Sequence, residues 1–390
     1  MYNIMPTYGR IELSFERGDG PWLFTEEGHK YLDFVSGIAV NTLGHSNKEL
    51  INILAEQSKK VWHTSNLYEI KPQSELAETI CKNSFGESVF FCNSGAESLE
   101  GTIKLCRRFH FNNGDKNKTD ILVCSSAFHG RTLGTLAAGD NENHRQGFGV
   151  NTSGFIRVPF GDIKKISKFI NKNTAAILVE PIQGEGGIKT APEGFFKKLR
   201  NLCSENKILL ALDEVQTGIG RTGKLFAHQW EEIVPDVMAI AKGLGGGFPI
   251  GAVVATNKAA SGMTPGTHGS TFGGNFLASC VAKSVINQVL ENKFLDNVIN
   301  LGDKLFKGIN LLSLQYPKLI KGVRGKGLMI GIICNINNAE LCSNLRNEGL
   351  LSVPAGDNVL RLLPPLNITA EHADICLKIL EKTLKKLEVN

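Results

Sequence analysis

Lys242 ends the short apolar run Val237-Met-Ala-Ile-Ala241 and is followed by Gly243-Leu-Gly-Gly-Gly247. An amine is thereby delivered to a turn where backbone can approach a ligand closely. A lysine drawn out of water titrates low enough to attack a carbonyl, so Lys242 is a candidate nucleophile. The same spacing also suits a surface lysine that closes a strand. Asp213 ends a second apolar run, Ile208-Leu-Leu-Ala-Leu212, one crossover's length before Lys242. Both side chains can then project into one cleft, where a carboxylate needs a cationic partner. A capping or salt-bridged aspartate is the alternative.

Four further stretches carry groups that bind rather than react. Asn93-Ser-Gly-Ala-Glu97, between a strand and a helix, offers free amides and a positive helix end to a phosphate. Phe128-His-Gly-Arg131 sets an aromatic face three residues from a guanidinium, suited to stacking on a planar ligand and forking onto a carboxylate. Glu180-Pro-Ile-Gln-Gly-Glu185 follows another apolar run, and Gly269-Ser-Thr-Phe-Gly-Gly274 could present hydroxyls to a phosphate. Each also has an ordinary reading as core, loop or solvated surface. Gly218-Ile-Gly-Arg-Thr-Gly223 matches the dinucleotide pattern G-x-G-x-x-G, but Asp213 to Thr217 separate it from its strand, which argues against nucleotide binding.

The elements that must position these groups follow from periodicity. Short apolar strands at 89–91, 121–124, 175–179, 208–212, 237–241 and 252–255 alternate with helical segments, which predicts an α/β fold with a parallel sheet covered on both faces. Ligands in such sheets lie beyond the carboxyl ends of the strands, where Glu180, Asp213 and Lys242 fall. A capping box at Ser46-Asn-Lys-Glu49 predicts a helix over 47–61, with Leu50, Ile53, Leu54, Gln57 and Val61 on one face. Pro72 opens another helix, to about Asn83. A long helix from Phe276 leads to a looser pattern: helix 294–315, strand 327–334, helix 338–348, strand 359–363 and helix 370–387. This predicts an N-terminal segment over 1–45 lying against a smaller C-terminal domain (276–390), and a large domain over 46–275.

At 390 residues and 42% hydrophobic, the chain can bury a sizeable core and exceeds the size at which one core keeps growing. The net charge of +5 is spread without a basic run, which excludes a nucleic-acid footprint. The nine cysteines form no C-x-x-C pair and lie in apolar segments, as reduced core thiols do. With no apolar run near the length of about 18 that spans a bilayer, and no signal core, a cytoplasmic protein without membrane or metal is expected.

In order along the chain, these motifs resemble the class III pyridoxal-phosphate-dependent aminotransferases of fold type I, from about residue 8 to the C-terminus. Gly37-Ile-Ala-Val-Asn-Thr-Leu-Gly-His45 and Trp62-His-Thr-Ser-Asn-Leu-Tyr68 resemble the acetylornithine branch of that class. The resemblance implies a large domain with a mostly parallel sheet sandwiched by helices plus a smaller α/β domain. It also implies pyridoxal 5'-phosphate bound covalently by Lys242, with Asp213 on the ring nitrogen and Glu214, Val215 and Gln216 beside the ring. Phe128 would stack on it, Gly95 and Ala96 would hold the phosphate, and Thr271 would reach that phosphate from the neighbouring subunit of a homodimer. Arg131 and Ser270 would bind the acylated amino acid, while Glu185 and Arg361 would form a switch between substrates. The implied reaction moves the δ-amino group of N2-acetyl-L-ornithine to 2-oxoglutarate, in arginine biosynthesis. Ornithine, 4-aminobutyrate, succinyl-ornithine and succinyl-diaminopimelate specificities stay open, as does a silent binding module. Phe276 and Ser98-Leu99 depart from the class pattern beside the phosphate region, where they could alter cofactor affinity.

Overall fold

A computed structural model describes residues 3–389. The chain opens with β1 (Arg17–Asp19), β2 (Trp22–Phe24), β3 (Lys30–Asp33), the short turn α1 (Ser36–Ala39), and helices α2 (Lys48–Ser58) and α3 (Lys71–Lys82). The alternating part runs β4 (Ser88–Cys92), α4 (Gly95–Asn112), β5 (Asp120–Cys124), α5 (Leu133–Ala138), α6 (Glu142–Arg145), β6 (Phe155–Val158), α7 (Ile163–Ser167) and β7 (Thr174–Val179). It continues through the ribbon β8 (Ile182–Gln183) and β9 (Lys189–Thr190), α8 (Phe195–Glu205), β10 (Leu209–Asp213), β11 (Val237–Ile240), β12 (Gly251–Ala255) and α9 (Asn257–Ala260). Helices α10 (Phe276–Val289) and α11 (Phe294–Gln315) lead to β13 (Ile320–Lys326), β14 (Met329–Cys334), α12 (Asn338–Asn347), β15 (Leu350–Leu351), β16 (Val353–Ala355), β17 (Val359–Leu362) and α13 (Ala370–Val389).

The central sheet has seven strands in the order β4-β12-β11-β10-β7-β5-β6. Its apolar runs are continuous because both faces are buried, and side chains alternate between them. Val237 and Ala239 face the core under α4 with Leu99 and Ile103, while Met238 and Ile240 face the opposite core with Val281 and Val285 of α10. The fold is therefore mixed α/β with a large, mostly parallel sheet. One strand departs from the parallel expectation: β12 runs antiparallel to both β11 and β4. The ten residues between β11 and β12 are too few for a crossover, so the chain can only fold back.

Two local expectations fail for identifiable reasons. Asn47, not Ser46, caps α2, accepting from the amides of Glu49 and Leu50 at 3.1 Å. Ser46 instead has φ of 54° and donates to the carbonyl of Gly18, and the Glu49 carboxylate accepts from Ser284, so no capping box forms. Leu50, Ile53, Leu54 and Gln57 are half-buried, but Val61 lies beyond the helix end and is exposed. Sequence reading also passed over β6 and β13; the lysines, arginine and glycines of Ile320–Lys326 hide the strand pattern.

A second sheet, β13-β14-β17-β16, is covered by α11 and α13, and the N-terminal strands join a third, in which β3 pairs with β15. Leu32 and Phe34 are fully buried in the same cluster as Leu305, Ile330 and Leu384. The two parts meet at Arg221, which donates to the carbonyl of Leu328 at 3.0 Å, while the amide of Leu328 donates to the carbonyl of Arg221 at 3.0 Å. Just before Leu328, Gly327 turns the β13–β14 hairpin with φ of 57° and its carbonyl lies under Gly302 of α11. A Cβ at Gly302 would stand 2.5 Å from that oxygen. Gly302→Ala is therefore expected to lower stability by about 1–3 kcal/mol despite alanine's better helix propensity. Thermal unfolding checks this, and a midpoint at or above the wild-type value would mean that the hairpin yields freely.

Candidate active site

The parallel pairing of β10 and β11 puts Asp213 opposite Ala239, so Asp213 and Lys242, three residues past Ala239, emerge at the same sheet edge. Both line one cavity of about 160 Å³, with Gly95, Ala96, Phe128, Glu185, Val215 and Gln216. These are residues the sequence singled out. Lys242 begins a 3₁₀ turn with φ of 45°, a conformation rare for a residue with a side chain, and Thr42 braces that turn by donating to the carbonyl of Gly243 at 3.0 Å. Burial strips water from the ammonium and lowers the lysine's pKa. The negative charge of Glu185 opposes this and the positive charge of Arg361 reinforces it.

His129 and Glu180 complete the site, and sequence reasoning gave His129 no role. The imidazole Nδ1 lies 2.8 Å from Asp213 Oδ2, and the other Asp213 oxygen accepts from the amide of Val215 at 3.1 Å. Burial works against a charged His129, but its hydrogen bond to Asp213 and the charges of Asp213 and Glu180 outweigh that and raise its pKa. Glu180 accepts from the amides of Phe128 and Gly184. Its own desolvation and the charge of Asp213 push its pKa up to about 7. The signal that could have found His129 is its place one residue after Phe128 on a loop facing the strand end; no local pattern names its partner.

Ser94 caps α4 by accepting from the amide of Glu97, and the Glu97 carboxylate accepts from the amide of Asn93 at 2.6 Å. This leaves the first-turn amides of Gly95 and Ala96 at the cavity, without intrahelical partners. Gly95 packs so closely that a Cβ would lie 2.8 Å from Val215 Cγ1. Ser98 donates to the carbonyl of Gly95 at 2.8 Å and Leu99 is buried in the core, so neither departure from the class pattern lines the cavity. Phe276 begins α10, capped by Asn275.

Other named residues lie elsewhere. Glu214 is outside the cavity lining, its fully buried carboxylate accepting from Thr217, Ala227 and His228. Arg361 arrives from β17 and binds Glu185 Oε1 at 2.7 Å and Gln216 Oε1 at 3.1 Å. Desolvation would raise the Glu185 pKa, yet the adjacent Arg361 more than offsets it and holds the carboxylate below its usual range. Arg131 stands at the rim, 5.7 Å from the Phe128 ring centroid. Ser270 accepts from Asn93 Nδ2 at 3.1 Å outside the cavity lining, and Thr271 is exposed on the same loop.

The donor set fits a pyridine aldehyde that carries a phosphate. An amine suits the aldehyde, a buried carboxylate suits a protonated ring nitrogen, and a helix N-terminus suits the phosphate. Orphaned buried polar atoms at His129 Nε2 and Arg361 Nε, which lack protein partners among the described residues, are in keeping with a polar occupant.

The chain is 49% identical to the acetylornithine aminotransferase of Brucella melitensis, covering 100% of this chain and 96% of that protein, and 50% identical to that of Agrobacterium fabrum, covering 95% and 93%. The solved acetylornithine aminotransferase of Elizabethkingia anophelis superposes with a TM-score of 0.87 at 36% identity, covering 98% of this chain and 96% of that one. The ornithine aminotransferase of Toxoplasma gondii superposes at 0.96 with 28% identity, covering 99% and 93%. The profile of the family described as aminotransferase class-III matches residues 4–384. A half-buried amine beside a buried acid at the ends of adjacent parallel strands, in a chain matched over nearly its whole length, makes this protein a member of the class III aminotransferases.

Proposed function

We propose that the enzyme transfers the δ-amino group of N2-acetyl-L-ornithine to 2-oxoglutarate, giving N-acetyl-L-glutamate 5-semialdehyde and L-glutamate. The observation that carries this reading is the pairing of two arginines of different availability around one cavity. Arg131 has no ion-pair partner among the described residues, whereas Arg361 is neutralised by Glu185. The cofactor is pyridoxal 5'-phosphate, whose protonated ring accepts the electron pair left on the substrate carbon when its proton departs. Lys242 binds the cofactor and carries that proton, and its lowered pKa favours the neutral amine that accepts one. Asp213, fixed by His129 and the amide of Val215, keeps the ring nitrogen protonated. Gly95 and Ala96 hold the phosphate, while Phe128, Val215 and Gln216 line the ring.

Arg131, aided by Ser270, takes the α-carboxylate of the acylated substrate. With Glu185 on Arg361 the far end of the cavity is neutral, which suits a long amine donor. Glutamate or 2-oxoglutarate, which brings a second carboxylate, displaces Glu185 and claims Arg361. The ornithine reading has one point in its favour, the high TM-score of the Toxoplasma enzyme. Identities of 49% to 50% with relatives named acetylornithine aminotransferase outweigh it.

The reading includes a homodimer with shared sites. Thr271 is exposed here, on a loop joined to the 62–68 segment through Asn66, which donates to the carbonyls of Ser270 and Gly273 at 3.1 and 3.0 Å. Trp62, Leu67, Tyr68 and Phe272 are exposed alongside, an apolar surface that monomers seldom leave uncovered. A second copy covering this surface would bring Thr271 to its neighbour's phosphate. Among the described residues no helix is long and apolar enough to cross a membrane, and a cytoplasmic location is part of this reading.

Kinetic and mass measurements test it. Lys242→Ala should lose roughly 10³-fold or more in turnover; near-normal rates would remove the lysine from the chemistry. Steady-state kinetics should show the highest kcat/KM for acetylornithine among acetylornithine, ornithine and 4-aminobutyrate, with Arg131→Ala raising its KM roughly 10–100-fold, as loss of charged hydrogen bonds does. In the same assay Glu185→Ala should favour glutamate over acetylornithine, and preference for an unacylated amine would overturn the substrate assignment. Light scattering should give twice the chain mass, and Thr271→Val should weaken cofactor binding; a monomer with full cofactor affinity would rule out shared sites.

A further inference from the structure

Arg131 is exposed, lies on a loop, and makes no ion pair with a carboxylate among the described residues, unlike Arg361. A long, rotamer-rich side chain in that position loses entropy whenever it grips a ligand, unless something orients it beforehand. The protein group that meets it is an imidazole: Arg131 Nη2 lies 3.1 Å from His144 Nε2. Asn141 Nδ2 lies 3.2 Å from the same nitrogen. The Asn141 amide orientation is set by its own oxygen, which accepts from the amide of Asn143 at 3.0 Å. Two donors therefore converge on Nε2, which must carry a lone pair, so the ring is neutral with its proton on Nδ1.

His144 is itself held in place. It lies on α6, whose N-terminus Asn141 caps, and it meets Phe128 edge-on, with ring centroids 6.0 Å apart at 88°. The next residue, Arg145, pairs with Glu142 at 2.7 Å and donates to the carbonyl of Gly139 at 2.9 Å, tying the short helix to the loop before it. The Phe128 face and the His144 lone pair thus fix the guanidinium from two sides.

We propose that His144 is a positioning residue for Arg131, holding its guanidinium as a neutral hydrogen-bond acceptor so that it meets the substrate α-carboxylate already oriented. This rests on the reading of Arg131 as the carboxylate grip. An acid in the same place would orient Arg131 equally well but would neutralise it and compete with the substrate; a neutral acceptor orients it and leaves its charge free. The arrangement is also sensitive to pH. The charged groups around His144 are Arg131, Glu185 from the β8–β9 turn, and the Glu142–Arg145 pair of its own helix, with Arg157 of β6 beyond. Burial and Arg131 lower its pKa against the pull of Glu185, so the acceptor is intact at neutral pH. Below the ordinary histidine range a proton on Nε2 removes the acceptor and sets two cations face to face.

The test uses the holoenzyme and N-acetyl-L-norvaline, which has the acyl group and the α-carboxylate but no distal amine to react. Titration calorimetry at neutral pH should show His144→Leu binding it about 5–10-fold more weakly, as the net loss of one hydrogen bond predicts, with KM for acetylornithine rising far more than kcat falls. His144→Gln, whose amide oxygen can accept in place of Nε2, should stay within about twofold of wild type. On acidification wild-type affinity should fall, and the Gln variant, which does not titrate, should lack that fall. Wild-type affinity in His144→Leu alongside a weakened Arg131→Ala would overturn the positioning role and leave the carboxylate grip standing. Unweakened binding in Arg131→Ala would overturn both. An acid-side fall that persists in the Gln variant would remove His144 from the pH response, and a Gln variant as weak as Leu would reduce its role to packing.

Discussion

The structure depends on the register of two neighbouring parallel strands. With Asp213 opposite Ala239, a carboxylate and an amine leave the sheet side by side, at the edge where its backbone gives way to loops. A slip of one residue would turn the Asp213 side chain to the other face and bury it under a helix. The surrounding hydrophobic clusters hold that register, because Val237 and Ala239 fit one core and Met238 and Ile240 the other. Packing far from the chemistry therefore decides where the reacting groups stand.

Around that edge the protein gathers buried and half-buried charged groups. Asp213, Glu180, His129, Lys242, Glu185 and Arg361 stand close together, and each carboxylate has a specific donor: His129 and the amide of Val215 for Asp213, the amides of Phe128 and Gly184 for Glu180, and Arg361 for Glu185. Unpaired, such groups would cost several kcal/mol each or discharge by taking up or losing protons. Lys242 is treated differently. It is half-buried and makes no ion pair among the described residues, as suits the amine proposed to react. The contrast between held acids and a free amine separates support from chemistry within one cavity.

The two arginines extend this logic to the substrate. Arg361 is delivered by β17, from a different sheet, and Glu185 by the turn of the β8–β9 ribbon, so their pairing couples the C-terminal sheet to the cavity floor. Arg131 belongs to the central sheet's own loops and is held by a neutral ring. A cation masked by an acid and a cation steadied by an acceptor offer different faces to ligands of different charge.

The chain itself determined the strands, most helices, and the identity of the groups at the strand ends. Apolar runs and turn residues act on near neighbours, so Val237–Ile240, Leu209–Asp213 and the turn at Asn93-Ser-Gly95 into α4 were legible without a structure. Even local signals can compete: Ser46 and Asn47 are both good caps, and only the nearby carbonyl of Gly18, which takes the Ser46 hydroxyl, decided between them. What tertiary structure alone decided is who partners whom. His129 finds Asp213 across 84 positions, Arg361 finds Glu185 across 176, and Glu214, adjacent to Asp213 in the chain, turns the other way because successive side chains leaving a strand point to opposite faces. Composition sets which groups are available; their encounter is set by how distant segments pack, and no short stretch of chain encodes that distance.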